Sequence, residues 1–256
     1  MKISELYIYP VKSLAGIAVT SARVLEKGLE MDRRWMVVDE NNQFMTQRIY
    51  PKMALIKTTL KEGVLSLQSS DSSIEVNPVD KSSLVTVWND SFKASESADE
   101  VNKWISDQLK THCRLVFMNE KQVVRTKMDH ALSFADGYPY LFLGRSSMDD
   151  LNQRLKQPLS ILRFRPNIVF AGGEPFEEDF WHEFQVGNVF FQGVKPCVRC
   201  ALPTVDPETA EKGVEPLKTL ASFRKTGNEI SFGLNAFAKT KGIISIGDHV
   251  SIKDKH

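Results

Sequence analysis

Lys195-Pro196-Cys197-Val198-Arg199-Cys200-Ala201-Leu202-Pro203-Thr204-Val205-Asp206-Pro207 is the stretch that decides how this chain is read. A Cys-x-x-Cys of the thioredoxin type opens a helix directly after a strand. Pro203 and Pro207 forbid that continuation, because an interior proline removes a donor and clashes with the preceding turn. The cysteines therefore lie where an extended segment enters a loop. A structural zinc site needs four ligands, and Cys113 and five scattered histidines supply no second pair at ligand spacing. Two readings stay open: packed thiols, since free cysteine is often buried, or one thiolate that reacts or ligates a metal. Lys195 and Arg199 flank the pair, and positive charge favours the thiolate.

Outward from this stretch the chain reads as mainly β with a few helices. Residues 3–9 alternate and stop at Pro10, as a strand does. Residues 35–38 and 43–47 read as a hairpin across Asp39-Glu40-Asn41-Asn42. A second hairpin is expected from 64–67 into 74–76, and 84–88 is another β-type run. Val101, Trp104, Ile105 and Leu109 share a helical face, with Ser97 and Glu100 at capping-box spacing ahead of it. A second helix is expected over 147–155, closed off by Pro158, and a short one after Pro216. Further strands are expected at 167–170 and 184–194, and a terminal hairpin pairs 242–246 with 249–252 through Gly247-Asp248. Many short strands with few helices favour barrels or sandwiches over a doubly wound sheet. The helix over 98–110 and the polar stretch 119–129 mark a boundary between two β-rich halves, 1–118 and 119–256.

Bulk properties narrow the function classes. At 256 residues the chain holds one large or two small domains. A net charge of +1 gives no overall field to draw in nucleic acid or an anionic membrane, so any anion site must be local. No apolar run approaches bilayer length, and Met1-Lys2-Ile3-Ser4-Glu5-Leu6-Tyr7 lacks the apolar core of a signal peptide. A cytoplasmic location is expected. Three cysteines are too few, and odd in number, for a secreted disulfide scaffold.

Four more clusters carry chemistry. Tyr9-Pro10-Val11-Lys12-Ser13-Leu14-Ala15-Gly16 ends a strand in a loop with an ammonium, a hydroxyl and free backbone N–H groups, all good phosphate ligands. Met31-Asp32-Arg33-Arg34-Trp35, with Thr46-Gln47-Arg48 on the facing hairpin strand, offers guanidinium forks for phosphate or carboxylate. Arg163-Phe164-Arg165-Pro166-Asn167 precedes an apolar strand, and Asn167 has the donor and acceptor that suit a heterocycle edge. Asp136-Gly137-Tyr138-Pro139 is a polar corner before another strand, where Asp136 could serve proton transfer. Taken singly, a solvated loop, a surface ion pair or an ordinary turn explains each.

Together, in this order and spacing, these pieces and the run Cys-x-x-Cys-x-x-x-Thr-Val-Asp-Pro-Glu-Thr resemble the MOSC-domain proteins over nearly the whole chain. In function-bearing residues they are similar to the mitochondrial amidoxime-reducing component and its bacterial relatives. The resemblance implies an N-terminal β-barrel-like domain (1–118), a C-terminal MOSC β-barrel (119–256), and a cofactor cleft between them. It implies a molybdenum-molybdopterin cofactor with Cys200 as metal ligand. Lys12, Ser13 and Arg33 would hold the pterin's terminal phosphate, and Arg165 and Asn167 would contact the pterin. Asp136, Gly137 and Tyr138 would form the wall beside the metal, and Arg199 would line the substrate opening. The implied reaction is two-electron reduction of small N-hydroxylated compounds; the alternative is a sulfur-carrier or cofactor-delivery role, with a persulfide on Cys200. Some relatives carry a C-terminal ferredoxin-like domain with four cysteines. No such cysteines follow here, so a separate electron-transfer protein of the ferredoxin, flavodoxin or cytochrome type is expected, and no nucleic-acid or membrane partner.

Overall fold

The computed structural model describes residues 1–118 and 125–255, and the fold is mainly β. Seven of the nine strands of the central sheet are β1 (Lys2–Ile8), β2 (Tyr140–Gly144), β3 (Ile168–Ala171), β4 (Trp181–Val186), β5 (Val189–Val198), β6 (Glu229–Ala238) and β7 (Val250–Lys255). They are hydrogen-bonded in the order β1-β3-β2-β6-β5-β4-β7. β2 and β3 are parallel, and the other neighbours antiparallel. The path then returns to its start. Ile3 N donates to Asp248 O (2.9 Å), Gly247 N to Ile3 O (2.8 Å) and Val250 N to Met1 O (3.0 Å). Closure into a ring satisfies edge groups that an open sheet leaves exposed.

Large apolar side chains fill this ring. Phe142 meets Phe184 edge-on at 4.9 Å between centroids and Phe191 at 5.1 Å, and Trp181 packs on Phe170 at 4.5 Å. Each such ring contributes roughly 2–3 kcal/mol by leaving water. Gly193 on β5 is required by a close approach, since a Cβ there would lie 2.0 Å from the Trp181 carbonyl oxygen. β2 is buried along its whole length, as a strand covered on both faces must be. Tyr140 and Phe142 join the ring's core, while Leu143 faces a second cluster with Met148 and Leu151 of α2 (Arg145–Arg154).

Residues 35–117 build a second block. Its four-stranded sheet has the order Trp35–Asp39, Cys113–Phe117, Asp90–Ser97, Pro78–Val87, and a three-stranded sheet joins Lys57–Lys61, Val64–Gln68 and Ser73–Glu75. α1 (Asp99–Leu109) buries Val101, Ile105 and Leu109 against Val37, Leu65, Leu67 and Leu115, which is the helical face expected from the sequence. The first thirty residues are woven into the other half. β1 pairs with β3, Ile17–Val19 extends β1, and Ser21–Leu25 pairs with Gly242–Ser245.

Four local expectations are corrected. Residues 184–194 are not one strand but parts of the β4–β5 hairpin, turning at Gly187 (φ 54°) within an apolar run that hides the turn. Gly247-Asp248 makes a turn but no hairpin: Gly242–Ser245 pairs with Ser21–Leu25, and β7 pairs with β4. Ser97 does not cap α1. It is the last residue of its strand, its hydroxyl is buried and unpartnered, and Ala98 is the N-cap. Trp88 is not strand but the first residue of the turn linking Pro78–Val87 to Asp90–Ser97. Of the polar stretch 119–129, residues 119–124 lie outside the described residues; Arg125–Lys127 pairs with His130–Leu132.

Candidate functional site

One cavity of about 410 Å³ is lined by residues of both halves. All ten residues singled out from the sequence border it: Lys12, Ser13 and Arg33; Asp136, Gly137 and Tyr138; Arg165 and Asn167; Arg199 and Cys200. Apart from Asp136 and the Tyr138 phenol, its ionisable lining is cationic or thiol: Lys12, Arg33, Arg48, Lys127, Arg165, Lys195 and Arg199, with Cys197 and Cys200. The cavity thus carries a local surplus of positive charge in a chain of net charge +1.

The inner wall is built on strained backbone. Ser13 (φ 66°), Arg33 (φ 51°) and Arg165 (φ 54°) are left-handed non-glycine residues, a conformation that persists where the surroundings over-determine it. Arg33 donates from Nη1 to Asp32 Oδ2 (2.5 Å) and Asn167 Oδ1 (3.1 Å). Arg165 donates from Nη1 to Leu14 O (2.6 Å). Both guanidinium groups lie over the Tyr9 ring, with Cζ at 4.5 Å and 4.1 Å from its centroid. Burial, then the neighbouring Arg33, lower the Arg165 guanidinium to about 10. Its Nη2 is buried and has no hydrogen-bond partner. Among the described residues it is the one such orphaned atom on the cavity's lining.

Lys12 is 4% exposed; its ammonium donates to Phe134 O (2.8 Å) and pairs with Asp136. Burial lowers the Lys12 pKa, and the Asp136 carboxylate offsets this only in part. For Asp136 burial also opposes charge, but the Lys12 ammonium, with Arg48 and Arg33 behind it, prevails and holds the carboxyl at about 2. Asp136 is thus a low-pKa carboxylate paired with Lys12.

Asn167 Oδ1 accepts from Arg33 and from Leu141 N (3.3 Å), and Nδ2 donates one hydrogen to Tyr7 O (3.3 Å), so the amide joins β1, β2 and the Arg33 loop and keeps a second donor hydrogen. Arg199 donates from Nε to Phe232 O (2.8 Å) and from Nη1 to Phe164 O (3.2 Å), which ties two backbone segments together at the cavity that it lines. Gly233 makes room for it: with φ 78°, a Cβ there would stand 2.8 Å from Phe142 O and 3.4 Å from Arg199 Nη2.

The outer wall carries the thiol. β5 has irregular register between Gly193 and Lys195 and again between Pro196 and Val198, and such bulges re-aim a strand. Cys197 is half-buried and Cys200 exposed. Beyond them Asp206 accepts from Arg163 Nη2 (2.5 Å), Glu208 N (2.8 Å) and Thr209 N (3.1 Å), so the Thr-Val-Asp-Pro-Glu-Thr run is a clamp that sets the loop after Cys200. Cys200 Sγ accepts from Arg48 Nη1 at 3.5 Å, and Arg48 lies over Trp88 at 5.0 Å. Lys212 Nζ donates to Arg48 O (2.6 Å), which ties the same loop to the N-terminal half. Lys127 stands 4.5 Å from the Tyr138 ring centroid and would meet a Cβ on Gly137 at 3.5 Å.

Trp88, Lys127 and Asn235 were given no role from the sequence. Arg48 had a signal in Thr46-Gln47-Arg48, opposite the arginine pair. Asn235 had none, because β6 itself was not expected; it is 8% exposed on the cavity wall and takes part in no side-chain hydrogen bond among the described residues.

Comparison with known families agrees with the geometry. The MOSC N-terminal beta barrel domain matches residues 1–112, and the MOSC domain matches residues 129–251. Mitochondrial amidoxime-reducing component 1 of Mus musculus is 32% identical over 277 residues, covering 97% of this chain and 81% of that protein. The Homo sapiens protein of the same name is 30% identical, covering 97% and 82%. Molybdenum cofactor sulfurase of Arabidopsis thaliana is 31% identical over 90% of this chain, which spans 32% of that longer protein. A domain pair over most of the chain, and relatives 30–32% identical over 97% of it, place this chain in the MOSC-domain family that includes the mitochondrial amidoxime-reducing components.

Proposed function

We propose that the cavity binds a molybdenum pterin cofactor through Cys200, and that the chain reduces N-hydroxylated compounds with electrons from a separate protein. The observation that carries this reading is the polarity of one cavity, with an unpartnered buried guanidinium nitrogen on its inner wall and an exposed thiol on its outer wall. The residues fit the group. Arg165 Nη2, Lys12 and Ser13 suit a phosphate, since charge-assisted hydrogen bonds are the strong ones. The free Asn235 amide and the second Nδ2 hydrogen of Asn167 suit a heterocycle edge. Among the described residues no three His, Cys, Asp or Glu side chains cluster to hold a metal ion. A metal at Cys200 thus needs its other ligands from the group that carries it, and soft thiolate suits such a shell.

When bound, the group supplies two-electron chemistry that removes oxygen from nitrogen. The chain's own residues bind and orient. Lys12, kept charged by Asp136, and Arg165 anchor the anionic end; Arg48 stands at the thiol; Arg199 and Asn167 hold the strands that carry these groups. The names of the mouse and human relatives supply the substrate class. A second reading, cofactor delivery or a persulfide on Cys200, is favoured by the sulfurase relative and by the exposure of Cys200.

Elemental analysis and pterin fluorescence on one sample from a cofactor-competent host test the proposal. Equimolar molybdenum and pterin are expected in the native chain, with neither activity nor metal in Cys200→Ala and a lesser effect in Cys197→Ala. A sulfane sulfur on Cys200 by mass spectrometry, without pterin, selects the second reading. Full activity in Cys200→Ala sinks both.

A further inference from the structure

Trp88 is an aromatic side chain in a place that the fold itself does not call for. It is the first residue of a two-residue turn between paired Val87 and Asp90, with φ 56°. Such a slot favours Asn, Asp or Gly, and a bulky side chain with positive φ is a true outlier. Core packing does not account for it, because Trp88 is 47% exposed. The exposed ring instead lines the cavity that holds Cys200. Phe44 supports it from the side at 4.9 Å and 58°, and the Arg48 guanidinium lies over it at 5.0 Å while reaching Cys200 Sγ at 3.5 Å. Indole, guanidinium and thiol thus form one continuous run along the outer wall. Strain retained at a cavity, in a side chain the core does not need, is the pattern of a residue kept for a ligand.

We propose that Trp88, with Arg48, is a stacking platform that selects flat, conjugated substrates over aliphatic ones at this site. Both surfaces are planar: indole stacks on aromatic rings, and guanidinium stacks on π-systems. A ring laid against them directs its substituent along the wall toward Cys200. The inference rests on the reductase reading for the substrate's N-hydroxyl group, but the stacking itself does not depend on turnover.

The test uses the cofactor-loaded protein with two probes, benzamidoxime and acetamidoxime, which share the reacting group and differ in the ring. The native chain is expected to favour benzamidoxime through a lower KM. In Trp88→Leu the ratio of kcat/KM between the two probes should fall about tenfold, the scale of one aromatic stack, and Trp88→Phe should recover most of it. Without electron donor, benzamidoxime should quench tryptophan emission in the native chain and acetamidoxime should not; Trp88→Phe, which lacks this fluorophore, should show no quenching. A local folding defect would move both probes together and leave the ratio unchanged, which overturns the proposal. Turnover of both probes with the ratio untouched by Trp88→Leu also overturns it and leaves the reductase reading in place. Quenching without turnover of either probe upholds the platform and removes the reductase reading; neither quenching nor turnover removes both.

Discussion

Arg165 and Glu178 are both buried ionisable side chains, and the chain completes one and leaves the other unfinished. Glu178 accepts from Ser147 Oγ (2.8 and 2.9 Å) and from Gly144 N (3.1 Å), at the start of α2 and away from the cavity. Arg165 has one bond, to Leu14 O, and a buried Nη2 with nothing to donate to. An unmade hydrogen bond in the interior costs about 1–3 kcal/mol, more for a charged group, and native folds satisfy nearly all such atoms. The contrast separates two uses of a buried charge. Where the fold needs the group, its own residues satisfy it; where a ligand is to be held, an acceptor is left for the ligand to supply.

The pH dependence of stability tests the completed corner and carries the largest expected effect. Burial, the largest influence, lifts the Glu178 carboxyl to about 7 despite the donors that favour its charged form. The native state keeps a proton that the unfolded chain gives up near the ordinary carboxylate value. Glu178 therefore contributes stability that is full below that value and is lost as pH rises through about 7. The whole loss is roughly 3 kcal/mol. Urea unfolding at pH 5 and pH 8 should show this slope in the native chain and a flatter one in Glu178→Gln. Equal slopes in the two would remove the buried-acid account.

The unfinished corner predicts the opposite division of effects. Arg165→Met should weaken cofactor retention about 100-fold, or about 2.7 kcal/mol, because the desolvated cation that an anion would meet is gone. Without cofactor the variant should be as stable as the native chain to within about 1 kcal/mol, since replacing a poorly compensated buried charge by an apolar side chain is often neutral or better. Pterin fluorescence per mole of protein and urea unfolding of the cofactor-free form read the two quantities. A large loss of stability with retention intact would show Arg165 to be structural, like Glu178.

Asp136→Asn probes the border between the two cases, with a smaller effect. Its carboxylate keeps the buried Lys12 charged. Removing it lowers the Lys12 pKa further, so retention should match the native chain at pH 6 and fall about tenfold below it at pH 9, where one lost charge-assisted contact is worth that much. Retention that falls equally at both pH values contradicts this role.

These contrasts also explain what the sequence could reveal. Lys12-Ser13, Arg33, Arg165 and Cys200 were legible because each stands in a motif with proline, glycine or a second charge, and loops concentrate such residues. The mainly β architecture was legible from alternation and turn residues. β6 was not, because Gly233, which admits the Phe142 carbonyl, and Asn235, which lines the cavity, interrupt its apolar run. Asn167 was located correctly, but its partners lie more than twenty-five residues away in chain order, at Tyr7, Arg33 and Leu141, and no local pattern reports that its amide is engaged. The terminal turn at Gly247-Asp248 had the right residues for a hairpin, yet its backbone groups go to Ile3, where they close the ring.

Tyr9 offers the finest division between holding the fold and holding a ligand. Its ring underlies both Arg33 and Arg165, its hydroxyl donates to Pro166 O at 3.2 Å, and burial pushes its pKa up to about 12. The phenol therefore stays neutral at any working pH, and the two cations meet its π face and not a phenolate. Tyr9→Phe keeps that face and loses one hydrogen bond, so unfolding should cost about 1 kcal/mol less while cofactor retention stays within about twofold of native. Tyr9→Leu removes the face, frees two guanidinium groups of similar charge from their common support, and should lower retention about fivefold, an effect of the size of one partly desolvated cation–π contact. If the phenylalanine variant loses as much retention as the leucine variant, the hydroxyl and not the ring positions the arginines, and the inner wall is held by hydrogen bonds to its backbone alone.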